Sequence, residues 1–267
     1  MMDPSIQDLV DISHYAARHP DWVQGGGGNC SVKSGGRMII KASGFFLEEV
    51  TTDHGFVVMD LKSEKPEGSL RPSMEYPLHL LLNRFVIHTH PAPLGALVCS
   101  AEGREAFRQH FPEKHFFWIP YATPGRKLFE KVRETLAGAA AGSGPRVLFL
   151  ENHGLFAAAE TKDETRRLHE DAIHRCEQLL PAGECDSLGL AHQYLTPDHA
   201  VYDHMDRTQL SEKQRLCQQE LDAFSRDVLG RIRAKGWTPR FLELGAVAEL
   251  LGMEEERYRR ELWKPKP

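Results

Sequence analysis

Behind Asp3-Pro4, an N-cap followed by a first-turn proline, Ile6, Leu9, Val10 and Ser13 recur at helical spacing, so the chain opens on a helix. Two apolar runs follow, Met38-Ile39-Ile40 and Phe56-Val57-Val58-Met59, set among glycine-rich stretches at Gly25 to Gly28 and Ala42-Ser43-Gly44. Short apolar runs bounded by turn residues read as strands. After Pro72-Ser73, Leu78, Leu81 and Leu82 share one helical face, and the chain enters Phe85-Val86-Ile87-His88-Thr89-His90, which predicts a buried strand stopped by Pro91. Further helices are expected at about 93–110, 125–141 and 163–180, with strands at Phe116 to Ile119, Arg146 to Leu150 and Leu155 to Ala159. Strands and helices alternate irregularly, which predicts a layered α/β fold without strict βαβ repetition.

Beyond residue 190 the pattern changes to a loop containing Pro197, an amphipathic helix over about 208–235 and a shorter one over 239–251. The expected division is a main domain over 1–190 and a helical C-terminal extension over 191–267, packed on that domain or on a neighbouring subunit. With 267 residues, 41% of them hydrophobic, the chain can bury a full core. Its formal net charge of −5 argues against a nucleic-acid partner, which a basic stripe would mark. No basic leader with an apolar run opens the sequence, and no stretch approaches the roughly 18 apolar residues of a membrane span, so a cytoplasmic protein without a membrane partner is expected. Cys30, Cys99, Cys176, Cys185 and Cys217 are scattered and form no C-x-x-C pair, neither a disulfide framework nor a thiolate zinc site.

Histidines carry the first candidate chemistry. His88 and His90 stand at i and i+2 of the predicted strand, so both imidazoles leave one face and can converge on an ion. The spacing alone is weak, because fourteen histidines in this length give ~0.7 such pairs by chance. Burial strengthens it, since Phe85-Val86-Ile87 drives the strand into the core, where two polar rings need a reason to be. His153 follows the apolar run Val147 to Leu150 and precedes Gly154, which lets the chain turn sharply and present the side chain. Three histidine ligands leave a coordination position open, as catalytic zinc requires. Glu75 precedes His88 by thirteen positions, in the first turn of the helix behind Pro72-Ser73. Read alone it favours the helix dipole; beside a metal, a carboxylate there can shuttle a proton. Gly25 to Gly28 with Asn29-Cys30-Ser31 is neither a dinucleotide fingerprint nor a P-loop, but such a turn can present backbone N–H groups to a phosphate.

Taken in order, Gly28-Asn29-Cys30-Ser31, Lys41-Ala42-Ser43-Gly44, Pro72-Ser73-Met74-Glu75, His88-Thr89-His90-Pro91, Pro120-Tyr121-Ala122-Thr123 and Asn152-His153-Gly154-Leu155 resemble the class II aldolase/adducin family over about residues 5–180. The resemblance implies a three-layer α/β/α domain around a mainly antiparallel sheet, assembled as a homotetramer with active sites between subunits. It implies Zn²⁺, or else Mn²⁺ or Co²⁺, on His88, His90 and His153, with Glu75 as acid/base and Gly28, Asn29, Ser43, Gly44 and Ser73 at the substrate phosphate. The activity implied is retro-aldol cleavage of a sugar, as a ketose 1-phosphate, to dihydroxyacetone phosphate and an aldehyde. The same scaffold also carries pentulose-phosphate 4-epimerases, methylthioribulose-phosphate dehydratases and sugar-acid-phosphate decarboxylases, and, without metal ligands, the adducin head. Met74 departs from the second serine found before the glutamate in fuculose-phosphate aldolases, and it cannot donate a hydrogen bond. No position matches the interface tyrosine of those enzymes. Gln193-Tyr194-Leu195-Thr196-Pro197-Asp198-His199 resembles the aldolase part of bifunctional rhamnulose-phosphate aldolase/dehydrogenases.

Overall fold

A computed structural model describes residues 3–138, 144–185, 192–205, 208 and 210–263. Its centre is one eight-stranded sheet built from β1 (Asn29–Ser34), β2 (Arg37–Lys41), β3 (Phe56–Asp60), β4 (Lys65–Glu67), β5 (Phe85–Thr89), β6 (Phe116–Ile119), β7 (Arg146–Leu150) and β8 (Leu155–Ala159). The strand order is β4-β3-β2-β1-β5-β8-β7-β6, antiparallel throughout except for the parallel β6–β7 pair.

Side-chain alternation along β5 divides the helices between two faces. Phe85 and Ile87 point toward α1 (Pro4–Ala17), whose Leu9, Ile12 and Ala16 close one core with Cys30, Val32 and Ile39. Val86 points the other way, into a core shared with Leu78 and Leu82 around α2 (Tyr76–Leu80) and with Leu128 and Val132 of α5 (Arg126–Ala137). The α1 face continues over β7 and β8 beneath α3 (Ala92–Val98), α4 (Gly103–His110) and α6 (Lys162–Leu179). The result is the three-layer α/β/α arrangement, and it places His88 on the α2 face, two residues on from Val86.

The remaining helices are α7 (Pro197–Asp203), α8 (Glu212–Ala234), α9 (Leu244–Gly252) and α10 (Glu254–Leu262). A capping box between Ser211 and Gln214 starts α8, and Phe224, Val228, Leu229 and Ile232 then enter the same core as Leu94 and Leu97 of α3. The two helices approach closely at Gly95, where a Cβ would lie 2.9 Å from both Phe224 and Val228.

Several elements differ from the sequence pattern. The helix expected over 93–110 is broken, because Ser100 leaves it to bridge Pro239, and Gly103 turns so tightly on Leu97 that a Cβ there would collide with the Leu97 carbonyl. That bridge also keeps Pro239 out of a helix, so α9 begins at Leu244. Pro197 lies in a helix rather than a loop, at its first turn behind the Thr196 N-cap. Among the described residues, no helix is long and apolar enough to cross a membrane.

If α8 is part of the core, Phe224→Ala should cost about 3–5 kcal/mol in a urea unfolding titration. A loss below about 1 kcal/mol would mean that α8 is not docked there.

Candidate metal centre

Pairing on both sides fixes β5: His88 stands opposite Asn29 of β1 and opposite Phe156 of β8. The His88 ring is fully buried and stacks on Phe156 with 4.0 Å between centroids. Its Nδ1 lies 2.9 Å from the Leu155 carbonyl, which can only accept, so Nδ1 carries a hydrogen and Nε2 is the atom turned to the cluster. His90 sits one residue past the strand, with its backbone N–H donating to Trp22 O at 2.7 Å, and its Nε2 lies 3.0 Å from His88 Nε2. Burial, followed by the neighbouring His88, pushes the His90 ring down to about 3, which keeps it neutral.

His153 arrives on the turn that joins β7 to β8. Asn152 takes the left-handed conformation there, at φ 52, and its side-chain amide donates to the carbonyls of Leu195 (2.9 Å) and Arg240 (2.8 Å). Gly154 then passes directly beneath the other two histidines: a Cβ on it would lie 2.5 Å from His90 Cδ2 and 2.6 Å from Thr89 O. Donor nitrogens of His88, His90 and His153 all fall within 4.8 Å of one another, and all three residues are buried.

Glu75 completes the cluster from the opposite side. It occupies the N-cap position of α2 without capping it, so the helix-dipole reading gives way to a carboxylate turned into the core. Its Oε2 lies 3.0 Å from His88 Nε2 and accepts a hydrogen bond from Asn29 Nδ2 at 2.9 Å, while Oε1 lies 3.3 Å from His153 Nε2 and accepts none. Burial works to raise this carboxyl, but the positive charge that His88 and His153 can carry holds it well below the ordinary range. Three buried imidazoles, one anchored through its other nitrogen, beside a carboxylate with an unused oxygen form a donor set that fits a divalent transition-metal ion.

The glycine turn runs under this centre. Gly28 has φ 63, and a Cβ on it would lie 2.8 Å from His88 O. Gly28, Asn29, Ser73, Glu75, His90 and His153 line one cavity of about 50 Å³, with His88 behind them. Ser43 and Gly44 do not line it: the Gly44 carbonyl accepts from Trp263 Nε1 at 2.8 Å and Lys213 Nζ at 3.2 Å. Two carboxylate residues to which the sequence assigned no role also line it, Asp198 at the start of α7 and the buried Glu256 of α10. Asp198 Oδ2 lies 3.6 Å from His90 Nδ1. The Thr196-Pro197 cap is the signal that would have found that helix, read instead as a loop, whereas nothing in the sequence around Glu256 marks it as facing a cavity.

Residues 7–180 match the family profile of the class II aldolase and adducin N-terminal domain. No curated protein is similar enough to be called a relative. Among solved structures, the N-terminal class II aldolase domain of a protein from Thermoplasma acidophilum superposes with a TM-score of 0.57 at 23% identity, covering 67% of this chain and 95% of that one. An L-fuculose 1-phosphate aldolase gives 0.53 at 22% identity, with coverage of 67% and 85%. An aldolase II superfamily protein from Pseudomonas syringae gives 0.53 at 18% identity over 86% of this chain and 93% of its own. At these identities the superpositions carry the fold.

The close approach at Gly154 has a measurable consequence. Gly154→Ala should cost about 1–3 kcal/mol of stability, since either His90 or the Thr89 carbonyl must shift. A variant that unfolds at the parent's denaturant midpoint would show that the turn does not press on His90.

Proposed function

The chain belongs to the class II aldolase and adducin family, and on that footing we propose that it is a metal-dependent lyase cleaving a ketose 1-phosphate by retro-aldol chemistry to dihydroxyacetone phosphate and an aldehyde. The observation that carries this reading is the convergence of three buried histidines on the Glu75 carboxylate, 3.0 Å from His88 and 3.3 Å from His153. His88, His90 and His153 would hold the ion. Zn²⁺ suits three neutral imidazoles better than Mn²⁺ or Co²⁺ on ligand preference and leaves a position for substrate.

When bound, the cation supplies positive charge beside the substrate carbonyl, which breaking the adjacent C–C bond requires. Glu75 does the proton work. Its Oε2 is held by Asn29, so Oε1 is the atom that delivers a proton to the carbon released by cleavage and removes it for condensation. Gly28, Asn29 and Ser73 line the cavity and are proposed to receive the phosphate end, the glycine turn contributing backbone N–H groups. Gly44 is covered by Trp263 and Leu262, and neither it nor Ser43 is included in that proposal. A homotetramer is the proposed assembly, supported by the family alone.

Glu75→Gln tests the reading. The zinc-loaded, folded variant should lose roughly 10²–10⁴-fold in kcat, the worth of a positioned proton-transfer group. It should also stop exchanging the α-proton of dihydroxyacetone phosphate with deuterated solvent. Normal exchange in that sample removes Glu75 from the mechanism. On the metal side, His153→Ala should no longer bind stoichiometric Zn²⁺, and full occupancy would dissolve the proposed ligand set.

Light scattering of the purified protein should give about four times the 30.2 kDa chain mass. A fully active monomer would overturn the assembly.

A further inference from the structure

We propose that His79 is a positioning residue for Glu75: acting through the side-chain amide of Asn29, it fixes the orientation of the carboxylate in the metal centre. The inference rests on the reading of Glu75 as acid/base and extends it to a residue that touches neither metal ligand nor substrate cavity.

The geometry comes from two periodicities that happen to match. Asn29, Ser31 and Lys33 occupy alternate positions of β1 and share one face, while Cys30 and Val32 turn to the α1 core. Glu75 and His79 lie one helical turn apart, on one side of α2. Docking that side on the polar face of β1 sets Asn29 against Glu75 and Ser31 against His79. Lys33 secures the far end, where its Nζ donates to the carbonyls of His79, Leu82 (2.6 Å) and Asn83 (2.9 Å). A helix of five residues has little stability of its own, so these contacts determine where its first residues point.

Hydrogen-bond directions along the row follow from chemistry. The Glu75 carboxylate only accepts, so Asn29 Nδ2 donates to it, at 2.9 Å. The remaining amide atom, Asn29 Oδ1, also only accepts, so its partner His79 Nε2 must carry a hydrogen. The ring is fully buried, and burial, reinforced by the cation of Lys33, keeps it neutral. A neutral imidazole has a single N–H, so His79 Nδ1 accepts from the Ser31 hydroxyl, 2.7 Å away. The Ser31 hydroxyl, which can donate or accept, completes the row, and the His79 Nε2–H holds the Asn29 amide with its Nδ2 turned to Glu75 Oε2. Rotating that amide by half a turn would set its carbonyl oxygen against a carboxylate, which is repulsive.

A histidine that merely fills the core is the competing account, and His79 does pack edge-on against Phe156 with 5.4 Å between centroids. The two accounts separate in the metal-loaded protein. A space-filling role predicts that His79→Ala lowers the unfolding midpoint and leaves kcat per zinc-loaded molecule unchanged. Positioning predicts that kcat for α-proton exchange of dihydroxyacetone phosphate falls about 10–100-fold, the usual effect of losing a partner one shell out from a metal site, with KM little changed. His79→Gln, whose side-chain amide can still donate to Asn29 Oδ1, should recover most of the loss. Should His79→Ala fail to fold, Ser31→Ala, which removes only the hydroxyl that donates to His79 Nδ1, should show a smaller loss of kcat in the same direction. Nitrogen-15 NMR of the imidazole gives a readout independent of activity: His79 should be the Nε2–H tautomer. An Nδ1–H tautomer, or an unchanged kcat in zinc-loaded His79→Ala while the parent exchanges normally, overturns the inference alone. A parent protein that catalyses no exchange overturns the aldolase reading, and the service of His79 to an acid/base falls with it.

Discussion

The pairing of β5 with β8 is the constraint on which the centre depends. Its register sets His88 against Phe156 and Thr89 against Leu155, so the turn before Leu155 carries His153 back over the end of β5. A slip of one residue would move His88 to the α1 face and leave His153 over an apolar strand end. Sterics hold the register as firmly as hydrogen bonds do. Gly154 crosses so close to Thr89 O and His90 that no other residue fits without movement, and Asn152 supplies the left-handed step that brings Gly154 there. The amide of Asn152 is tied in turn to backbone carbonyls at Leu195 and Arg240, far along the chain.

Assembling so many titratable groups in a dry interior has a direction in pH. Burial pushes the His169 ring to about 3 and that of His79 well below its ordinary value, yet in the unfolded chain each takes up a proton near pH 6.5. As pH falls from about 6.5, the unfolded chain binds more protons than the folded one, so stability declines. The depressed carboxyl of Glu75 acts in the same sense: the stability it contributes is present above its unfolded value and is lost as pH falls toward the folded one. Acid therefore opposes the buried neutral rings and the ionised Glu75 carboxylate alike. The histidines are held by direct partners, as where the His169 ring lies 2.6 Å from Thr89 Oγ1 and 3.2 Å from the Tyr15 hydroxyl.

Where chemistry is written locally, the sequence could be read. Val86, His88 and the apolar run around them announced a buried strand, and His153-Gly154 announced a sharp turn after another, because periodicity and glycine act over a few residues. What escaped depends on distant partners. Ser100 leaves its helix for Pro239, and the Asn29 amide is shared between Glu75 and His79, forty-six and fifty positions away. No spacing rule encodes such pairings. α10 is a different case: Glu254-Glu255-Glu256-Arg257 offers no apolar stripe, and the helix is held instead by Arg71, which meets Glu254 and Tyr258, and by Trp263 past its end, against Phe46 and Tyr202.

That last helix shows how the labour is divided along the chain. The histidines and Glu75 lie within residues 7–180, the span of the family profile, but the wall opposite them is built by Asp198 and Glu256 from beyond it. With α10 seated, the cavity of about 50 Å³ holds a water or two, far short of the roughly 300 Å³ at which small-molecule sites begin. A sugar-sized ligand would be admitted only if part of this wall withdrew. α7 and α8 cannot easily do so, since Val201 and Tyr202 pack with Leu221 in one cluster and Phe224 and Val228 anchor α8 in another. α10 brings the buried Glu256 into this wall and is fastened just past its end by Trp263, which packs with Phe46 and Tyr202.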